Sequence, residues 1–389
     1  MRTSLLLRRE PFGKLLERTM SGYWSAETGT PVAVHWQDTM AGDQVWRGNI
    51  YLNFFCVSGA EKECFEVILR EYGFSQSAWR RVMQSTYVRA AVTEPARSWL
   101  SQVRFGVSEA VPAAEEKLVI GGNHRIRIIQ PRCGRSTVIH KCGFSRLAFE
   151  REIAARLGPA SGLAPRFHGI EAGGRAFSEE YFSGTPANRL PSEVMRAVRA
   201  TARIRLITEV HRPTLRIVRL GDRLQEIAEA CARLSPVVGN EMLKLAQWAS
   251  EKAGQSPVGL AISHGDFQDA NILTDGQRLH VIDWEAMAER SQLYDLATFA
   301  SGLRLAPDGL QAWKATVSRW VDASGDGLDL EVAPDGWGSL QAHAALWWME
   351  ESMLRLEEAR MAEHMDDFAS GDARIAAGCA QAAAHLKTI

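Results

Sequence analysis

The sequence lacks several features that would assign it to a common class at once. Its six cysteines form no CxxC pair and no Cys/His spacing typical of a metal site, which favours a reduced, cytoplasmic setting. The formal net charge is −1 without a basic tail, so nothing indicates a nucleic-acid partner. No apolar run approaches membrane-spanning length, and the one at the basic start is too short for a signal peptide. With 46% hydrophobic and 23% charged residues, the composition is that of an ordinary globular protein.

The most informative stretch combines a polar loop with a strand that ends in a carboxylate. Residues 264–271 read HGDFQDAN and residues 281–285 read VIDWE, with an Asp-Gly turn between them. They supply Asp266, then Asn271 five positions later, and Asp283 after an apolar strand. This spacing is that of the protein-kinase catalytic loop and the metal-binding Asp that follows it.

These side chains match the needs of phosphoryl transfer, which demands positioning and charge neutralisation more than covalent chemistry. Asp266 can accept or orient the proton of an acceptor hydroxyl. Asn271 and Asp283 offer the oxygen ligands that Mg²⁺ prefers, while waters and substrate phosphates complete its shell. His264 suits a scaffold that ties the loop through hydrogen bonds. The motif therefore predicts Asp266, Asn271 and Asp283 as catalytic residues, the last two as metal ligands, and ATP with Mg²⁺ as cofactors.

A second candidate site lies upstream, where residues 118–129 read as strand, glycine turn and strand. The backbone of Gly121, Gly122 and Asn123 can cradle phosphate because glycine has no Cβ to obstruct the approach. The turn lacks the G-x-G-x-x-G pattern of protein kinases, so alone it is a weak signal. The next strand ends at Lys141, where a kinase-like lobe carries the lysine that pairs with the α- and β-phosphates. The alternative is a solvated lysine at a strand end.

Together these stretches resemble the aminoglycoside phosphotransferase and choline/ethanolamine kinase superfamily, which has a protein-kinase-like fold. Independent support comes from residues 149–157, 162–170 and 174–177, which look like the helix-to-hinge region of choline and ethanolamine kinases. The resemblance covers residues 115–305 best, and nothing in residues 1–112 belongs to it. It implies an α+β, bilobal fold with a small β-rich N-lobe and a helical C-lobe, to which an extra N-terminal α+β module is added.

The resemblance also implies a partner for the lysine. Glu150 lies seven positions before Leu157, the distance that choline kinases use, and it is therefore expected to pair with Lys141. Glu152 is expected to be a solvated helix charge.

Further roles follow for the hinge and for the catalytic loop. Tyr181 and Phe182 fall in the segment expected to link the lobes, where backbone groups bind an adenine edge and a ring flanks the base. Asp295 is expected to be structural and to steady the catalytic loop. Nucleotide binding is thus assigned to Lys141, Glu150, Gly121, Gly122, Asn123, Tyr181 and Phe182.

The pattern divides the chain into three predicted parts. Residues 113–185 are expected to form the N-lobe and residues 186–389 the helical C-lobe with the catalytic loop. Residues 1–112 read as a separate α+β module, joined by a linker at residues 110–114. Five tryptophans fall in this module: Trp24, Trp36, Trp46, Trp79 and Trp99. They favour packing anchors, and the alternative is a glycan- or partner-binding face that recruits a larger acceptor.

The acceptor site is expected beyond Asp266, lined by C-terminal helices. Aromatic and acidic residues there would suit a cationic acceptor such as choline or an aminoglycoside. These residues are Trp347, Trp348, Glu350, Glu351, Asp366 and Asp367. Adjacent tryptophans on one helix point to different faces, so at least one is expected in the core. A neutral or anionic sugar would instead use polar residues such as His343 and Arg355.

The leading hypothesis is an ATP- and Mg²⁺-dependent phosphotransferase acting on a hydroxyl of a small molecule or glycan. The alternative is a catalytically weak, kinase-like binding or regulatory protein whose N-terminal module recruits a partner. It is disfavoured because the expected catalytic and nucleotide-binding groups are all present: Lys141, Glu150, Asp266, Asn271 and Asp283. A protein kinase is disfavoured because no Ala-Pro-Glu segment follows Asp283, and Trp284-Glu285 replaces Phe-Gly.

Overall fold

The chain folds into two compact units. The computed structural model describes residues 2–40, 42–72, 78–306, 308–322, 339–362 and 368–389. The first unit comprises Met1–Phe149 with Pro165–Thr185, and the second comprises Glu150–Ala164 with Pro186–Ile389. The first is rich in strands and the second in helices, so the predicted α+β class with a β-rich and a helical part is confirmed. Within the described residues, every helix is too short or too polar to traverse a bilayer.

The first unit combines helices from the start of the chain with strands from its whole length. In chain order its elements are α1 (Thr3–Arg9), α2 (Phe12–Thr28), β1 (Val34–Trp36), β2 (Gln44–Asn49), β3 (Phe54–Val57), α3 (Glu66–Tyr72), α4 (Ala78–Val92), α5 (Ala96–Trp99), β4 (Val103–Val107), β5 (Leu118–Gly121), β6 (Arg125–Gln130), β7 (Arg135–His140), α6 (Leu147–Leu157), β8 (Phe167–Glu171) and β9 (Ala176–Glu180). Helix α6 begins in this unit, and its residues from Glu150 onward belong to the second.

One antiparallel sheet organises the first unit. Among the described residues it contains nine strands in the order β1-β4-β2-β3-β5-β6-β7-β9-β8. Phe55 of β3 pairs with Val119 of β5, so the sheet continues from the N-terminal strands into the glycine-turn strands. Helix α2 contributes Phe12 and Leu16 to a buried cluster that also holds Ile139 of β7. The N-terminal helices and the later strands therefore share one core.

The predicted boundary at residue 112 differs from this arrangement, because it falls inside the sheet. Strands β3 and β5 pair with each other, and this pairing satisfies backbone groups that would be left exposed if residues 1–112 formed a separate module.

The tryptophans of residues 1–112 divide between packing anchors and exposed side chains. Trp24 and Trp46 are buried with ring centroids 5.6 Å apart, as packing anchors are. Trp79 and Trp99 are 70% and 88% exposed.

The second unit carries most of the helices. In chain order its further elements are β10 (Thr185–Pro186, at the junction), α7 (Ser192–Arg205), α8 (Arg212–Thr214), β11 (Arg216–Arg219), α9 (Leu220–Leu234), α10 (Pro236–Ala253), β12 (Pro257–Ser263), β13 (Ile272–Thr274), β14 (Leu279–Val281), β15 (Ala288–Ser291), α11 (Tyr294–Ser301), α12 (Gly309–Asp322), α13 (Leu340–Arg360) and α14 (Ala369–Leu386). Strand β12 pairs with β11 and β15, and β13 pairs with β14.

Helix α13 is the central element of the helical core. Trp347 and Trp348 are both buried and pack against Trp313 of α12, with ring centroids 6.4 and 5.3 Å away. The structure therefore places both tryptophans in the core rather than in a cation site.

Glu350 on α13 makes stability depend on pH. It is buried, accepts the Ser291 N–H at 2.8 Å and lies 3.6 Å from Arg223. Burial raises the pKa of Glu350 from 4.5 to about 7. The folded state therefore binds the proton of Glu350 more tightly than the unfolded state does. The contribution of this group to the free energy of unfolding is complete below pH 4.5 and is lost as the pH rises towards 7.

We expect Glu350→Gln to remove this decline, which amounts to about 3 kcal/mol. Urea unfolding of wild type and variant across that pH range measures it. Glu226→Gln is the matched control, since Glu226 also pairs with Arg223, at 2.9 Å, but is mostly exposed. A Glu350→Gln profile parallel to wild type would contradict the assignment.

Candidate active site

A β-hairpin brings the two proposed metal ligands together. Strands β13 and β14 pair with Ile272 opposite Val281, so the residue before β13 lies beside the residues after β14. The Ile282 N–H donates to the Asn271 carbonyl at 2.9 Å, which fixes this register. Asn271 and Asp283 are therefore neighbours because of local strand pairing.

The loop before this hairpin is held by His264. The Nδ1 of His264 accepts the Asp266 N–H at 3.1 Å, and Nε2 lies 2.8 Å from the Ile282 carbonyl. This pattern places the ring proton on Nε2 and occupies both nitrogens with backbone groups. His264 is thus a scaffold for the loop, as the sequence indicates. Gly265 has φ of 86°, and a Cβ there would lie 2.4 Å from the Ala286 carbonyl.

Asp295 steadies the same loop from α11. Its carboxylate accepts the N–H groups of His264 at 2.7 Å and Gly265 at 2.9 Å, and it lies 3.2 Å from His211 Nε2. Burial alone would raise the pKa of Asp295, but the hydrogen bond and charge of His211 outweigh it and lower that pKa. An ionised carboxylate therefore anchors the loop backbone, which is the structural role implied for this position.

Asp266 is oriented by amide side chains. Its carboxylate accepts from Gln268 Nε2 at 2.9 Å and from Asn271 Nδ2 at 3.0 Å. Burial raises the pKa of Asp266, and the charge of Arg304 and the hydrogen bond from Gln268 oppose this increase. Because Asn271 uses its amide nitrogen on Asp266, its Oδ1 remains as the acceptor that a cation could use.

Asp283 follows β14 in a left-handed conformation with φ of 68° and ψ of 53°. Asp tolerates this region better than most residues because its short polar side chain can hydrogen-bond locally. In the described part of the chain, no three His, Cys, Asp or Glu side chains converge on a point that could hold a metal. A carboxylate and an amide oxygen still suit Mg²⁺, which usually takes one or two protein ligands plus phosphates and water. The donor set fits the predicted cofactor.

Sequence reasoning missed Arg304, which is 39 positions from Gly265. Helix α11 ends at Gly302 in the left-handed conformation, and the chain then turns back towards the loop. Arg304 Nη2 donates to the Gly265 carbonyl at 3.0 Å, and its Nε lies 3.8 Å from Asp266 Oδ1. No spacing rule could have found this residue, because its contact depends on how α11 packs.

Glu351, predicted near a cationic acceptor, instead anchors this arginine. It is buried, accepts the Tyr294 hydroxyl at 2.6 Å and Arg355 Nε at 2.7 Å, and lies 3.4 Å from Arg304. His343 is buried as well. The other predicted acceptor residues, Asp366 and Asp367, lie outside the described residues.

In the first unit, Lys141 has a different environment from the one expected. Its buried ammonium donates to Glu10 Oε1 at 2.7 Å and to the Gly122 carbonyl at 2.8 Å, and lies 4.5 Å from the Phe144 ring centroid. Its observed partner is therefore Glu10, a residue that sequence reasoning missed. Burial lowers the pKa of Lys141, and the Glu10 carboxylate opposes this decrease.

Strand alternation explains this placement. Successive side chains of a strand point to opposite faces, so Lys141 shares a face with Ile139, which packs with α2. His140 turns to the other face, where its ring lies 5.6 Å from that of Phe149. The predicted partner Glu150 is exposed. Glu152, expected to be solvated, is buried and hydrogen-bonded to Arg156.

The predicted glycine turn, residues 121–124, is shaped by close packing. A Cβ on Gly121 would lie 3.1 Å from the Phe12 ring, and one on Gly122 would lie 2.8 Å from the Arg125 carbonyl. Close packing therefore explains why glycine stands at both positions. Phosphate binding by this turn and Asn123 stays a prediction. Tyr181 and Phe182 follow β9, and the Tyr181 N–H donates to the Gly134 carbonyl at 2.8 Å.

Comparison with known proteins defines the class. The model of the phosphotransferase enzyme family (APH) matches residues 143–343, just over half of the 389 residues, and includes Asp266, Asn271 and Asp283. The chain therefore belongs to this phosphotransferase family, and the resemblance seen in the sequence is confirmed.

Solved structures with a related arrangement are remote in sequence. A choline/ethanolamine kinase family protein from Mesorhizobium loti is 17% identical, with 72% of this chain and 96% of that chain covered and a TM-score of 0.40. The aminoglycoside phosphotransferase APH(4)-Ia, in complex with AMP-PNP and hygromycin B, is 14% identical over 69% and 93%, with a TM-score of 0.44. A Plasmodium vivax ethanolamine kinase is 9% identical over 83% and 95%, with a TM-score of 0.39. No curated protein matches the chain.

Proposed function

We propose that the protein transfers the γ-phosphoryl group of ATP to a hydroxyl of a small molecule or glycan, with Mg²⁺ as the metal. The observation that carries this proposal is that Asn271 donates to Asp266 and pairs through its carbonyl with Ile282, the residue before Asp283. Membership of the phosphotransferase family supports the reaction class.

The chemistry follows from these positions. Asp266 orients the acceptor hydroxyl and takes its proton as the oxygen–phosphorus bond forms and the bond to the ADP oxygen breaks. Asn271 and Gln268 hold the Asp266 carboxylate by hydrogen bonds. Asn271 Oδ1 and the Asp283 carboxylate would hold Mg²⁺, which supplies positive charge at the phosphates when bound.

The charges near Asp266 favour a cationic acceptor, such as choline, ethanolamine or an aminoglycoside, over an anionic sugar. Arg304 lies among carboxylates, since Glu351 is 3.4 Å and Glu358 is 3.6 Å from it, and Glu285 acts electrostatically on Glu358. With Asp266 these are four carboxylates near two guanidinium groups, those of Arg304 and Arg355, so the local field attracts positive charge. A neutral sugar is the next candidate.

A panel of acceptors tests the proposed function. Purified protein is incubated with ATP and Mg²⁺ together with choline, ethanolamine, aminoglycosides, neutral sugars or glycan extracts, and ADP release and product mass are measured. We expect acceptor-dependent ADP release and a product heavier by one phosphate in wild type but not in Asp266→Ala. ADP release that is equal with and without every acceptor would contradict the proposal.

The buried Lys141 favours a second candidate, a kinase-like binding or regulatory protein with weak catalysis. Its ammonium is fully buried against Glu10 and the Gly122 carbonyl, whereas a kinase-like lobe uses a lysine that reaches the α- and β-phosphates. This candidate predicts nucleotide binding without acceptor-dependent turnover in the same panel.

Arg304 offers a separate test of the loop. Because its guanidinium holds the Gly265 carbonyl and lies 3.8 Å from Asp266, we expect Arg304→Gln to lower kcat by about tenfold or more through misplacement of Asp266. Arg355→Gln is the matched control, since Arg355 also pairs with Glu351, at 2.7 Å. Equal kcat values for the two variants, measured with the best acceptor, would show that Arg304 does not position Asp266.

A further inference from the structure

The carbonyls of the glycine turn are held by side chains from outside the turn. Asn53, between β2 and β3, donates its Nδ2 to the Gly121 carbonyl at 2.8 Å. Lys141, after β7, donates its Nζ to the Gly122 carbonyl at 2.8 Å. Two successive carbonyls are therefore fixed, and because each peptide unit is planar, the directions of the Gly122 and Asn123 N–H groups are fixed with them.

Each of these donors is itself fixed by the N-terminal helical segment. Thr3 Oγ1 donates to Asn53 Oδ1 at 2.6 Å, which orients the amide so that Nδ2 faces Gly121. Glu10 accepts from Lys141 Nζ at 2.7 Å and balances its charge. Asn53 is 3% exposed and the Lys141 side chain is fully buried, so water does not compete with these bonds.

A third contact reaches the segment after β9. Arg70 of α3 donates Nη1 to the Ser183 carbonyl at 3.0 Å and to the Ser183 hydroxyl at 2.6 Å. Ser183 directly follows Tyr181 and Phe182, the residues predicted to bind the adenine. The N-terminal segment thus contacts both parts of the first unit to which nucleotide binding is assigned.

We propose that residues 2–40 and 42–72 support the nucleotide site, with Asn53, the Glu10–Lys141 pair and Arg70 as positioning residues that set nucleotide affinity. This inference rests on the proposed function, because it takes the glycine turn and the segment after β9 as nucleotide-binding backbone. The supporting residues all precede residue 143, where the family match begins.

The physical basis is preorganisation. Backbone N–H groups bind phosphate well only when the turn already holds its bound conformation, since ordering it on binding costs free energy. Contacts from Thr3, Glu10 and Asn53 order the turn before nucleotide arrives. Lys141 acts here through the Gly122 carbonyl rather than by touching phosphate.

Asn53→Ala tests the inference with a matched control. Asn49, the last residue of β2, is likewise buried, at 2% exposed, but it makes no bond to the turn: its Nδ2 donates to the Tyr87 hydroxyl and the Leu100 carbonyl, and its Oδ1 accepts the Tyr51 and Leu52 N–H groups. We expect Asn53→Ala to raise the Kd for ATP–Mg²⁺ about tenfold, which corresponds to one lost positioning hydrogen bond. Asn49→Ala should leave that Kd within a few-fold of wild type, and equal Kd values for both variants would overturn the inference.

The Glu10–Lys141 pair distinguishes positioning from direct contact. If Lys141 acts through the turn, Glu10→Gln and Lys141→Met should each weaken nucleotide binding, and the double variant should bind no worse than Lys141→Met. A loss confined to Lys141→Met would show that its ammonium touches the nucleotide and would overturn its positioning role. Because breaking a buried pair destabilises the fold, binding is measured at a temperature at which thermal denaturation curves show all variants to be folded.

Amide hydrogen exchange separates this inference from the proposed function. The amides of Gly122 and Asn123 should exchange faster in Asn53→Ala than in Asn49→Ala or wild type, whether or not nucleotide is present. Unchanged exchange in Asn53→Ala would overturn the support of the turn. If wild type binds no nucleotide at all, the proposed function and the effect on affinity both fail, whatever the exchange shows.

Discussion

Replacing Asp266 with Asn should lower turnover by about 10²–10⁴-fold, while the Kd for ATP–Mg²⁺ stays within a few-fold of wild type. The substitution keeps the size of the side chain, and its one amide oxygen can still accept from Gln268 and Asn271 as Oδ2 does, but it removes the group that takes the hydroxyl proton. Steady-state kinetics with the best acceptor and calorimetric titration with nucleotide measure the two quantities separately.

Asp275→Asn is the control for this prediction. Asp275 lies in the exposed turn of the same hairpin, where it accepts the Arg278 N–H at 2.7 Å, and it takes no part in the proposed chemistry. Turnover by the Asp275→Asn variant should match that of wild type. If Asp266→Asn also keeps turnover within a few-fold of wild type, Asp266 is not the residue that handles the proton.

Asp283→Asn should reduce kcat/KM by about 10²-fold or more and weaken nucleotide binding, because the lost carboxylate takes with it most of the charge that holds Mg²⁺ at the phosphates. Asn is the suitable replacement, since it tolerates the left-handed conformation at φ of 68° and leaves the backbone unstrained. The variant therefore tests charge and not folding.

A magnesium titration of the activity measures this effect. The Mg²⁺ concentration needed for half-maximal rate should rise in Asp283→Asn and remain unchanged in Asp275→Asn. An Asp283→Asn titration that superimposes on wild type would show that the carboxylate does not bind the metal.

The arrangement of the residues predicted to be catalytic could be anticipated from the sequence because it is local, while their roles stay predictions. Asp266, Asn271 and Asp283 lie within one loop and one hairpin, and strand pairing of Ile272 with Val281 sets their neighbourhood. Asp295 followed from the family resemblance, and the structure shows the two loop N–H groups that it binds.

The contacts of the residues predicted to bind nucleotide were harder to anticipate, because strand register and tertiary packing decide them. One residue along β7 changes the sheet face, so Lys141 meets Glu10 and α2 instead of the opposite face where His140 lies. Glu10 itself is 131 positions away, beyond any spacing rule.

The sheet also differs from the predicted division of the chain at residue 112, for a related reason. Residues 110–114 are predicted as a linker after a self-contained run of strands and helices, whereas Phe55 and Val119 pair across that point within one sheet. Sequence patterns locate strands, but the long-range pairing of their edges depends on which strand arrives beside them in the fold.

Transfer of label from ATP tests the central claim most directly. ATP carrying ¹⁸O on the non-bridging oxygens of its γ-phosphate is incubated with wild type or Asp266→Asn, Mg²⁺ and the best acceptor, and the products are analysed by mass spectrometry. The account predicts that wild type forms a phosphate ester in which the phosphorus keeps these labelled oxygens and the bridging oxygen comes unlabelled from the acceptor, and that Asp266→Asn forms almost none. Label recovered only in inorganic phosphate, or an equal yield of ester from both proteins, would contradict phosphoryl transfer directed by Asp266.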